Sequence, residues 1–198
     1  MSFEYTCTKL LGHLLRNRQG EPNPGMRDTP RRVADAWEGW VGGYTLKPEF
    51  VLKEFDEGNG DGKEGPFDEM IFQSGIRFYS HCEHHLAPFF GVVHIGYVPR
   101  DCKYIVGLSK LARVVDIYAR RLQVQERMTT EIADAMLTLD PIGVGVVVEG
   151  RHFCLESRGV RQPGTITTTC ALRGALKEDP QARQEFLSYA SKRSWNGV

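Results

Sequence analysis

Residues 70–99 read MIFQSGIRFYSHCEHHLAPFFGVVHIGYVP, and the fold is decided here. Two runs rich in β-branched and aromatic residues, MIFQSGIRFYS and FGVVHIGYVP, flank the polar insert SHCEHHLAPF. Such side chains suit a pleated, half-buried surface, so the two runs read as paired strands. Downstream, SKLARVVDIYARRL and VQERMTTEIADAMLTL carry apolar residues at helical spacing. IGVGVVVEG, RHFCLESRG and TITTTCALRG return to strand-like composition, and Asp179-Pro180 opens a last helix through Phe186 and Leu187.

Upstream, Leu10, Leu11, Leu14 and Leu15 predict a helix over residues 3–17. A second helix follows. Asp28 or Thr29 caps it, Pro30 fits its first turn, Val33, Trp37 and Val41 line one face, and Gly42-Gly43 stops it. The acidic, glycine-rich segment 54–69, EFDEGNGDGKEGPFDE, reads as a loop, because its oxygen ligands do not alternate ahead of a glycine as a calcium loop demands. Helices, a hairpin, two helices, a hairpin and a helix make an α+β chain with an antiparallel sheet, not alternating βαβ units. Residues 1–68 form an N-terminal helical region with the glycine-rich loop, and residues 69–198 form the catalytic domain, as one structural unit overall.

Composition narrows the function. The 198 residues are 41% hydrophobic and 25% charged, which supports a buried core and excludes a disordered chain. No window approaches the ~18 consecutive apolar residues of a membrane span. Lys plus Arg and Asp plus Glu both number 25, so a general nucleic-acid binder, with its basic excess, is not expected. The N-terminus has no basic segment ahead of its short apolar run, and the five cysteines are irregularly spaced. Both features predict a cytoplasmic protein with reduced, metal-bound or buried thiols.

The sharpest chemical feature is Cys82-Glu83-His84-His85, with Cys154 in His152-Phe153-Cys154 as its best distant partner. Thiolate and imidazole are the ligand types zinc favours. On a strand, His152, Cys154, Glu156 and Arg158 share a face. Two cysteines and one histidine leave a fourth tetrahedral position for water, the catalytic arrangement. Spacing leaves His84 and His85 both open as the ligand. The imidazoles not used, His152 included, are proton-transfer candidates. A lone cysteine is usually a small core residue, and a lone histidine usually makes a structural hydrogen bond. These two clusters, however, hold two of the five cysteines and three of the six histidines, which argues for a metal. Cys7, Cys102 and Cys170 have no such company and read as buried or incidental thiols.

An anion pocket is the second candidate. Ser109 can cap a helix beginning near Lys110, with Arg113 on the same face, and a helix N-terminus with two cations suits phosphate. The plainer reading of these cations is a solvated basic face. Gln125 and Glu126 stand at the start of the next helix, where an amide and a carboxylate can donate to and accept from a nucleobase edge. A helix-start carboxylate is the plainer reading of that pair.

At these residues the chain resembles the GTP cyclohydrolase I family. The resemblance runs in order through DTPRRVADAW, FYSHCEHHLAPFFGVVHIGYVP, GLSKLARVVDIYARRLQVQERMT, HFCLESRGV and TITTTCALRG. It implies the tunnelling fold (T-fold), in which antiparallel sheets and paired helices assemble into a ring, two pentamers stacking into a decamer with active sites between subunits. It further implies that Cys82, His85 and Cys154 hold Zn2+, and that His84 and His152 act as acid/base groups, with Gln125 beside them. Glu126, with Gln125, would anchor guanine, and Ser109 would lie beside the base. Lys110, Arg113, Arg158 and Arg32 would hold the triphosphate. The implied reaction attacks C8 of GTP, releases formate and rearranges the remainder to 7,8-dihydroneopterin triphosphate, where pterin and folate-type biosynthesis begins. One departure stands out: Glu156 takes a position more often apolar or basic in the family, and strand alternation would turn its charge toward the phosphates. A zinc-stabilised scaffold that binds guanine nucleotides with weak catalysis is the alternative, and Glu156 is the residue that favours it.

Overall fold

A computed structural model describes residues 2–15, 24–56, 69–100, 104–193, 195 and 197. Cys102, most of the glycine-rich segment and the last two residues of the first expected helix lie outside them. The chain divides into two compact units, Met1–Gly42 and Gly43–Val198. In the first, α1 (Phe3–Leu15) packs with α2 (Thr29–Trp40), whose N-cap is Asp28 and whose first turn takes Pro30. No described helix is long and apolar enough to cross a membrane.

The second unit is built on a sheet ordered β5-β2-β3-β6-β7, from Leu122–Gln123, Ile71–Cys82, Pro88–Val98, Gly143–His152 and Ile166–Gly174. All pairings are antiparallel except the short parallel match of β2 with β5. A separate antiparallel pair joins β1 (Glu54–Asp56) to β4 (Tyr104–Val106), so the first three residues of the expected loop are strand. Composition hid this, because a three-residue strand exists only by virtue of its partner. The β2 ladder shifts register between Gln73 and Ile76, where Gly75 takes a positive φ of 71°.

The central strands are buried on both faces, which accounts for the near-continuous apolar runs in β3 and β6. Helices α3 (Leu108–Ala119) and α4 (Gln125–Met136) cover one face, with Leu111, Val114, Val115, Met128, Ile132 and Met136 in a core shared with Phe78, Phe89 and Val146. Helix α7 (Pro180–Ser191) packs on the strands through Phe186; α6 (Ala175–Glu178) precedes it, and Asp179 caps α7 by accepting from the Gln181 amide at 2.8 Å. Phe186 is fully buried against Gly96 and Gly145, which face each other across β3 and β6. A Cβ on Gly96 would meet the phenyl ring at 2.8 Å, and one on Gly145 at 2.7 Å. The absent methyls form a notch, and burying the ring there contributes about 1.5–3 kcal/mol.

Two expectations are corrected. Helix α3 begins at Leu108 with Gly107 as its N-cap, and the Lys110 amide donates to the Gly107 carbonyl at 2.7 Å. Ser109 therefore sits inside the first turn and does not cap it. Strand β6 ends at His152, and Phe153–Glu156 forms one helical turn, α5, so His152, Cys154, Glu156 and Arg158 do not alternate along a strand. Arg151 holds both Glu156 oxygens, through Nε at 2.8 Å and Nη2 at 2.7 Å, and the Ser157 hydroxyl donates to the Phe153 carbonyl at 2.7 Å. These bonds fold the chain back where composition alone suggested extension.

Candidate active site

The site grows from the end of the sheet. Strand β2 finishes at Cys82, whose amide donates to the Ala87 carbonyl at 2.8 Å across a tight turn. Leu86 closes that turn with a φ of 54°, its amide bonded to the Cys82 carbonyl. The parallel pairing of Cys82 with Gln123 in β5, extended by the Glu83 amide donating to the Gln123 carbonyl, brings the N-terminus of α4 alongside. On the antiparallel side, Phe89 of β3 pairs with His152 of β6, and α5 then returns Cys154 toward Cys82. A pocket of about 190 Å³ opens there, lined by Cys82, His84, Val124, Gln125, Glu126, His152, Cys154, Leu155 and Thr167.

Cys82 and Cys154 meet at this place. Burial pushes the Cys154 thiol up, and the neighbouring Cys82, its hydrogen-bond partner, pushes it the same way. His84 Nδ1 lies 3.7 Å from Cys82 Sγ. His85 turns elsewhere: its Nε2 accepts from Arg158 Nη1 at 2.6 Å. Among the described residues, no three His, Cys, Asp or Glu side chains converge as a ready metal cluster. The donor set nonetheless suits zinc in its chemistry, with two thiols already in contact and two imidazoles on the adjoining turn.

His152 is held on two sides. Its ring stacks on Phe89 with centroids 4.6 Å apart and planes 6° from parallel, and its Nε2 lies 2.8 Å from Gln125 Oε1. Burial lowers its pKa, against a smaller upward pull from the Glu126 carboxylate. Gln125 is itself buried, so its amide faces protein groups rather than solvent. Glu156, paired with Arg151, has its carboxyl held below the usual range and does not line the pocket.

The expected phosphate residues are not gathered in this pocket. Ser109 and Arg113 are exposed on the first two turns of α3, Lys110 is half-buried, and Arg158 is engaged with His85. Arg32 belongs to the first unit, where its guanidinium lies 3.5 Å from Asp28. Residues that the sequence reading passed over also shape the site. Arg127 pairs with Glu83 beside the Cys82 turn, and Arg127 Nε donates to Gln123 Oε1 at 3.1 Å, tying α4 to β5. Thr167 and Thr169 bond the Gln125 amide through a carbonyl and a hydroxyl. The alternating threonines of TITTTC were the available signal, since residues two apart share a strand face.

Comparison with known proteins bears directly on this arrangement. The family model described as GTP cyclohydrolase I matches residues 7–191. The chain is 49% identical over 186 residues to the GTP cyclohydrolase 1 of Janthinobacterium sp. (strain Marseille), covering 93% of this chain and 89% of that one. It is 51% identical over 165 residues to that of Mycolicibacterium vanbaalenii, covering 82% and 78%. To the Nitrosospira multiformis enzyme it is 49% identical over 179 residues, covering 89% and 90%.

Proposed function

The chain belongs to the GTP cyclohydrolase I family, and from that membership we propose how its own residues serve the reaction. The protein is a GTP cyclohydrolase I, an enzyme that hydrolyses GTP. It opens the guanine ring at C8, releases formate and leads to 7,8-dihydroneopterin triphosphate. The observation that carries the residue assignment is the meeting of two thiols, a half-buried imidazole and a helix-start carboxylate around one pocket.

Cys82, His85 and Cys154 would hold zinc. Bound there, zinc would supply Lewis acidity and make a water more acidic. Glu126 anchors the base, its carboxylate accepting from the N–H groups on the guanine edge. His84, on the turn beside Cys82, and His152, whose pKa burial lowers, move protons to and from the opening ring. Ser109 lies beside the base, and Lys110, Arg113, Arg158 and Arg32 bind the triphosphate.

These cations stand outside the pocket's lining because a neighbouring copy completes the site. The sheet supports such an assembly: among the described residues no strand pairs with the outer edge of β7, and β5 covers β2 over only two residues. Edge-to-edge pairing of those strands builds the ring of the tunnelling fold and a homodecamer, in the cytoplasm. The scaffold reading loses its support, since Glu156 is neutralised by Arg151.

The test is to incubate the zinc-loaded protein with GTP and quantify formate and dihydroneopterin triphosphate together. Equal amounts are expected. Formate alone contradicts the rearrangement, and neither product, with zinc bound, contradicts the assignment.

A further inference from the structure

Gln125 stands at the first position of α4, yet its side chain points inward and is 1% exposed. Its Nε2 has three acceptors in range: the Val148 carbonyl at 3.1 Å, the Thr167 carbonyl at 2.8 Å and Thr169 Oγ1 at 3.1 Å. Carbonyl oxygens only accept. Turning the amide over would press its oxygen against two of them, so the NH2 must face the strands. Oε1 then faces His152 Nε2 at 2.8 Å, and an oxygen at that distance requires a proton on the imidazole nitrogen.

The hydroxyls beside the amide are directed in the same way. Thr129 Oγ1 donates to the Gln125 backbone carbonyl at 2.7 Å and so has no second proton to give. Its 2.6 Å contact with Thr169 Oγ1 is therefore made by the Thr169 hydroxyl donating, which leaves Thr169 lone pairs for the Gln125 NH2. Each hydroxyl proton has one consistent place. Gly150 permits this, because a Cβ there would stand 2.6 Å from Gln125 Oε1.

We propose that Gln125, oriented by Thr169 and Thr129 and accommodated by Gly150, is a positioning residue that fixes His152 in the Nε2–H tautomer and leaves Nδ1 as its one basic nitrogen. In this role Gln125 does not touch guanine. It acts through His152, and its strand partners make that action rigid. The inference rests on the proposed role of His152 in proton transfer, but the tautomer itself is a property of the protein without substrate.

The test combines a spectroscopic and a kinetic readout on the full-length, zinc-loaded protein. Solid-state 15N spectra of histidine-labelled protein, with His152 identified by its loss in His152→Gln, should show Nε2 protonated and Nδ1 bare at pH 8. A proton on Nδ1 overturns the proposal. Gln125→Met should lower kcat by about 10–100-fold, as loss of an orienting partner typically does, with KM for GTP little changed. Raised KM with kcat intact makes Gln125 a guanine ligand and overturns it. Thr169→Val should follow Gln125→Met in direction, and Thr169→Ser should restore the rate; equal defects in both overturn the hydroxyl's part. If Gln125→Met does not fold, the Thr169 pair and the wild-type spectrum decide. Wild-type protein that releases no formate from GTP refutes the functional reading and leaves the tautomer measurement standing.

Discussion

The two sides of the sheet use the same device for opposite ends. Under α7, Gly96 and Gly145 withhold their Cβ atoms so that the Phe186 ring can sink into an apolar notch. Under α4, Gly150 withholds its Cβ so that the Gln125 carbonyl oxygen can reach His152. The first vacancy is filled by carbon and contributes cohesion without directional demands. The second is filled by a polar atom, and its worth lies in which way a proton points. A glycine in a strand is thus either a packing feature or a chemical one, and the atom that occupies its space tells which.

That contrast predicts that damage near α4 abolishes chemistry with folding largely intact, whereas damage near α7 loosens the fold and spares the chemistry. The largest effect belongs to the thiols: Cys82→Ser and Cys154→Ser should each lose zinc, measured by elemental analysis, and formate release down to background. Full activity in a metal-free variant defeats the assignment. His84→Ala should keep zinc while turnover falls about 10²–10⁴-fold, the usual contribution of a positioned acid or base. Zinc loss in that variant, with zinc retained in His85→Ala, would exchange the two histidines' roles.

On the other side, Phe186→Ala should lower the unfolding free energy by about 3–5 kcal/mol in chemical denaturation. Gly145→Ala should cost about 1–3 kcal/mol by overpacking the same notch. Either variant, once folded, should retain the wild-type kcat within a few-fold, and a larger rate loss would erase the proposed division between the faces. The smallest effect is a pH dependence at His94. This residue is fully buried, stacks on Phe72 beside Phe186, and has its pKa lowered by burial, which outweighs the Glu149 carboxylate 3.5 Å away. Its folded pKa lies below the unfolded value, so the unfolded chain binds the proton first, and stability falls as pH drops below about 6.5. His94→Leu should flatten that slope in denaturation midpoints taken between pH 8 and pH 5, and an unchanged slope assigns it to another group.

The order of the main elements was legible because their signals are long: two-sided strands with unbroken apolar runs, and helices with several turns of periodicity. What escaped was short. The turn of α5 is decided by Arg151 clasping Glu156, an interaction visible only once the strand has ended. β1, β4 and β5 are defined by partners distant in the chain rather than by their own composition. At the site, the motifs identified Cys82, Cys154, His152, Gln125 and Glu126, which the fold does bring to one pocket. They carried no information on side-chain orientation. The turn of His85 toward Arg158, and the inward turn of Gln125 beside an outward-facing Glu126, depend on rotamers and on acceptors contributed by β6 and β7.

The paired glycines beneath Phe186 also act as an alignment gauge. Gly96 and Gly145 are register partners, and farther along the same ladder Phe89 is matched with His152. Sliding β6 by one residue along β3 would place a valine, Val144 or Val146, where the ring requires a gap, and would turn every inward side chain outward. The ring thus rejects misaligned strands at a distance from the pocket. Only the pairing that seats Phe186 delivers His152 beside Phe89, so an apolar contact with no part in the chemistry proofreads the alignment on which the chemistry depends.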